Sequence, residues 1–171
     1  MMREKIEKFC NDIKEEYFMY LYNKGESINF PYCCKLSADL ITSFFKMVCS
    51  NNFKYMCTTR ERAYNHAWTY YNDGKEEFII DFTNLQYTND NIKHIERSEV
   101  SVEKFRQIVS KEQVVFSPEE TYMYLVYELM HPKEQKCNGI LEDFEGVLNK
   151  DCFMEYLEIN YDNVFENTNY Y

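Results

Sequence analysis

The 171 residues carry 29 acidic against 19 basic side chains, a formal charge of −10 that opposes the phosphate neutralisation on which nucleic-acid binding depends. Hydrophobic residues make up 45% and aromatics 18% of the chain, which excludes a disordered polymer and suits one self-sufficient domain. No apolar run approaches the roughly 20 residues of a membrane span, and Met1-Met2-Arg3-Glu4-Lys5 opens neither a signal peptide nor an anchor, so a membrane partner is not expected.

In chain order, Ile6, Phe9, Cys10, Ile13, Tyr17, Tyr20 and Leu21 recur at spacings of three and four and predict a helix over 2–22, closed near Gly25. After Pro31, the set Leu36, Leu40, Ile41, Phe44, Phe45 and Val48 predicts a second helix over 33–49, with Cys33 and Cys34 in its first turn. Short β-rich runs follow at 53–59, 65–71, 77–83 and 113–116, with a short helix over 101–110. Ser117-Pro118-Glu119-Glu120 carries the Ser-x-x-Glu capping box with Pro at the first helical position, which predicts a helix from 118 to about 130, stopped by His131-Pro132. The stretch 139–158 reads as helical, with Gly146 and Asn149-Lys150-Asp151 as points where it divides. The tail from Asn160 to Tyr171 receives no assignment. The expected fold is a single α+β domain over 1–171. In it the helix at 33–49 packs on a small antiparallel sheet and C-terminal helices cover the other side.

The seven cysteines, Cys10, Cys33, Cys34, Cys49, Cys57, Cys137 and Cys152, lack the paired spacings of a zinc site and the density of a disulfide scaffold. A reduced, cytoplasmic compartment fits them, and most read as small buried hydrophobes. Zinc on Cys33, Cys34 and His66 is disfavoured because adjacent cysteines rarely both reach one tetrahedral ion, and a Cys33–Cys34 disulfide would be strained. His94 and His131 have no partners at useful spacing.

Asp73-Gly74 predicts a two-residue hairpin turn, since both central positions of that turn need positive φ. Counting back along the strands sets Trp68 opposite Ile79 and His66 opposite Asp81, close enough for an imidazole to bond a carboxylate. Ala67, Phe78, Ile80 and Phe82 take the core face of the sheet. His66, Trp68, Ile79 and Asp81 take the other, where a cleft is expected. A carboxylate beside a histidine fixes its tautomer and stabilises the imidazolium. A cysteine in the first turn of a helix meets free backbone N–H groups, conditions that favour thiolate, and the same groups suit an oxyanion hole.

The segments Phe30-Pro31-Tyr32-Cys33-Cys34-Lys35-Leu36-Ser37-Ala38-Asp39-Leu40, His66-Ala67-Trp68 and Phe78-Ile79-Ile80-Asp81-Phe82-Thr83, followed by Gln86, together resemble the transglutaminase-like branch of the papain-like cysteine enzymes. Within that branch they are similar to a small group of bacterial and phage proteins. The resemblance spans about residues 30–87. It implies a Cys-bearing helix against an antiparallel sheet carrying His and Asp, and acyl transfer through a thioester. It also implies Cys34 as nucleophile, His66 as base and Asp81 as orienter. Cys34 is preferred to Cys33 because Ala38 falls four residues after it, where the family keeps a small residue. Cys33, Trp68 and Gln86 are candidates for the cleft or oxyanion site. The implied reaction is hydrolysis or transfer at amide bonds of a peptide or protein substrate, with no metal or organic cofactor. The contrasting expectation is a catalytically silent module of the same fold that binds a protein.

Overall fold

A computed structural model describes residues 1–24, 33–58, 66–85, 101–120, 130–132 and 144–167. Helix α1, Met2–Asn23, buries Ile6, Phe9, Cys10, Ile13, Tyr17, Phe18 and Leu21. The stripe is the expected one, except that Phe18 is fully covered and Tyr20 only half-buried. Helix α2, Cys34–Val48, begins one residue later than predicted, with Cys33 as its N-cap. Besides its apolar stripe, α2 also buries Ser37, Ala38, Asp39, Thr42 and Ser43, so it is enclosed on nearly every side. An amphipathic reading understates such a helix because short hydroxyl residues such as Ser37 and Thr42 bond inward to Tyr17 and Thr69 rather than to water.

Among the described residues, five strands follow in one sheet: β1 Phe53–Thr58, β2 Ala67–Asn72, β3 Glu77–Ile80, β4 Val115–Phe116 and β5 Met130–Pro132. Their order is β4-β3-β2-β1-β5 and every pairing is antiparallel. Helix α3, Val102–Val109, lies between β3 and β4 in sequence, and the Ser101 side chain caps it by accepting from Lys104 N. The observed class is therefore α+β. No helix among the described residues is long and apolar enough to cross a membrane.

At the Ser117 capping box, Glu120 reaches back to Ser117 N at 2.6 Å, and Pro118–Glu120 form a 3₁₀ turn where the predicted helix was to open. Residues 121–129 of the predicted helix lie outside the described residues, and His131-Pro132 sits in β5, paired with β1. Next, residues 144–149 are not helical. The last helix, α4, runs Lys150–Asn167 through the tail that the pattern left unassigned. Asn149 caps it, its side chain accepting from Cys152 N at 2.8 Å. A Cβ on Gly146 would lie 2.8–2.9 Å from Phe144, Cys152 and Val48, so a close approach of the chain to α2 requires glycine there. Finally, α4 covers α2 and α1 on the same side of the sheet rather than closing the opposite side.

The core lies where these helices meet. Phe9 of α1 stacks on Phe44 of α2 at 5.7 Å, Phe44 meets Phe153 of α4 edge-on at 5.0 Å, and Phe45 stacks on Phe53 of β1 at 4.9 Å. Aromatic pairs in these geometries add about 0.5–1.5 kcal/mol each beyond area burial.

Candidate active site

The hairpin that was expected to align His66 with Asp81 forms, but in another register. Asn72 pairs with Glu77, Tyr70 with Ile79 and Thr69 with Ile80, so the connection is four residues long, Asp73 to Glu76, instead of two. A two-residue turn needs positive φ at both centres, and only Gly74 adopts it, at +85°. Asp73 serves as an acceptor instead: its Oδ1 takes the N–H groups of Lys75 and Glu76, both at 2.8 Å. Continuing this ladder sets Trp68 opposite Asp81 and His66 opposite Thr83.

His66 and Asp81 nevertheless meet. A shift of two residues keeps every side chain on its predicted face, and a diagonal pair begins only about 7–8 Å apart. Both residues lie just beyond the strand ends, where side chains span the gap, and His66 Nε2 stands 2.6 Å from Asp81 Oδ2. The carboxylate is itself fixed. Its Oδ1 accepts from Thr83 N at 2.9 Å and Thr83 Oγ1 at 3.0 Å, and Asp81 N donates to Val114 O at 2.8 Å. The Asp-x-Thr spacing thus has a physical purpose: Thr83 occupies one carboxylate oxygen and leaves the other to the imidazole.

The Cys34 side chain is the second hydrogen-bond partner of the His66 ring. Burial alone would depress the imidazole pKa. The Asp81 charge and hydrogen bond, with Cys34 adding to them, overcome that and push it up from 6.5 to about 10. The imidazole therefore holds its proton at neutral pH. Cys34, His66 and Asp81 are 7%, 1% and 7% exposed, so the group lies just beneath the surface.

The neighbouring thiol has a different setting. Cys33 is 1% exposed within the main core, and burial, followed by the charges of Cys34 and Asp81, pushes its thiol well above the usual cysteine range. It packs as a core residue rather than lining a cleft. Trp68 is buried with Met56, Ile79 and Phe116 on the sheet face away from α2, its ring 5.5 Å from that of His66. Among the described residues its Nε1 has no hydrogen-bond partner, and a buried donor left unpaired costs about 1–3 kcal/mol. Gln86 and His94 lie outside the described residues.

The residue reading overlooked the positioning roles of Thr83 and Val114. Thr83 was findable, because a hydroxyl residue two positions after Asp commonly closes a side-chain turn. Val114 was not, since its carbonyl meets Asp81 only through the β3–β4 pairing. Comparison of the chain with family models, with curated proteins and with solved structures returns no match.

Proposed function

We propose that this chain is a cysteine enzyme of the transglutaminase-like or papain-like kind, cleaving or transferring amide-linked acyl groups of a peptide or protein substrate. The observation that carries the reading is the double commitment of one buried imidazole, bonded to Asp81 on one side and to the Cys34 sulfur on the other. The chain order Cys, His, Asp, with the cysteine opening a helix that packs on the strand after the histidine, supports a papain-like core.

In the proposed reaction, the Cys34 thiolate attacks the carbonyl carbon, forming a C–S bond and moving charge to oxygen. Backbone N–H groups of the first turn of α2 are assigned to stabilise that oxygen. The imidazolium gives its proton to the leaving amine as the C–N bond breaks, and a thioester remains. Water then attacks, His66 takes its proton, and the C–S bond breaks to release the acid and the thiolate. An amine in place of water gives the transglutaminase outcome. Hydrolysis is the favoured course because the chain shows no dedicated amine-acceptor feature.

Iodoacetamide labelling of the native protein at pH 7 tests this. One cysteine should react at least about tenfold faster than the rest. Cys34→Ala should abolish the fast phase, Cys33→Ala should preserve it and His66→Ala should slow it. Asp81→Asn should lower turnover on the order of 10²–10⁴-fold by releasing the imidazole from its tautomer. The burial of all three side chains favours one second reading, a silent protein-binding module. Slow, uniform labelling of the cysteines would establish that module and overturn the enzyme.

A further inference from the structure

Two buried threonines tie the cysteine helix to the histidine strand. Thr42 Oγ1 and Thr69 Oγ1 are 2.8 Å apart, and Thr69 Oγ1 donates to the Ala38 carbonyl at 3.3 Å. A hydroxyl has one proton, and a carbonyl can only accept. The order is therefore fixed: Thr42 donates to Thr69, and Thr69 donates to Ala38. Both side chains are fully buried, where a satisfied hydrogen bond is strengthened and an unsatisfied one costly.

The placement gives this chain its meaning. Ala38 lies one helical turn beyond Cys34, and Thr69 lies three residues beyond His66. Ala38 packs with Ala67 of β2 and Cys57 of β1 in a cluster of small side chains. Small residues there let the α2 backbone approach the sheet closely enough for a strand hydroxyl to reach a helix carbonyl. Other bonds hold neighbouring turns of α2 to the helices: Tyr17 of α1 meets the Ser37 hydroxyl at 3.0 Å, and Tyr156 of α4 donates to Leu40 O at 2.9 Å. The threonine link instead joins α2 to the strand entered from His66.

We infer that Thr42 and Thr69 are positioning residues that set the height of α2 over β2 and so hold the Cys34 sulfur against the His66 ring. This rests on the reading of Cys34 and His66 as the working pair, and the test separates the two. The His66 pKa is measured by NMR in the full chain and in Thr69→Val, Thr42→Val and Thr69→Ser, each with and without Cys34→Ala. The shift caused by Cys34→Ala reports sulfur–imidazole coupling whether or not the protein has activity.

That coupling should at least halve in the Thr69→Val background and fall by less in the Thr42→Val background, which leaves the Ala38 bond in place. Thr69→Ser restores the hydroxyl and should recover it. A purely structural threonine would lower unfolding midpoints while leaving the coupling untouched in the folded molecule. Undiminished coupling in both valine variants, or in Thr42→Val alone should Thr69→Val not fold, overturns the inference. Normal coupling loss without a fast-labelling cysteine would instead uphold the clip and remove the enzyme.

Discussion

On the face of the sheet turned to α2, Phe53, Tyr71, Phe78 and Ile80 join a core that runs unbroken into α1, α2, α3 and α4. On the other face, Met56, Trp68, Ile79 and Phe116 form a small cluster of their own. His66 and Asp81 stand at the strand ends between these regions, and they owe their geometry to hydrogen bonds rather than to aromatic packing. The difference teaches that core packing and the His66–Asp81 contact draw on different atoms of one sheet, so each should yield to substitutions that spare the other.

The sharpest test removes a ring from the large core. Phe44→Ala should cost about 3–5 kcal/mol in urea unfolding, because it vacates the contact point of α1, α2 and α4. Cys34 labelling in the molecules that remain folded should change little. A labelling rate that fell in step with stability would erase the distinction between the two regions.

A pH series probes the other region. The His66 pKa is raised from 6.5 to about 10 in the fold, so the folded state holds a proton there that the unfolded state loses. The resulting stabilisation is complete below pH 6.5 and disappears as pH rises through about 10. Unfolding free energies of the wild type and Asp81→Asn should therefore differ most at low pH and converge on the alkaline side. Parallel curves across that window would show that the carboxylate does not hold the proton.

The smallest effect is expected at Gly146→Ala. The added methyl would press on Phe144, Cys152 and Val48, and such overpacking costs about 1–3 kcal/mol. This substitution should lower the unfolding midpoint without altering the His66 titration. A changed titration would mean that the helical core and the site are mechanically coupled through α2.

The sequence disclosed the site better than it disclosed the turn that builds it. Side-chain direction in a strand repeats every two residues, so misjudging the loop by two left Trp68 and Ile79 on one face and kept His66 within reach of Asp81. A one-residue error would have scattered them. Helix α4 was placed poorly for the opposite reason. Asn160, Tyr161 and Val164 look like a polar tail in isolation, and they are buried only because α1 and α2 provide a surface for them. The start of that helix was still legible in Asn149, a residue whose side chain caps more readily than it continues a helix. The threonine link was beyond reach, since nothing in the residues around Thr42 or Thr69 tells which helix turn will stand over which strand.

The enclosure of α2 carries a last consequence. A helix wrapped by two others and a sheet cannot unwind by itself, since every turn between Leu36 and Phe45 would have to surrender partners on three sides. The sulfur at its tip is therefore mounted on a helix that gives way only together with the core around it. Warming should leave thiol chemistry intact until the whole domain melts, with both signals vanishing at a common temperature.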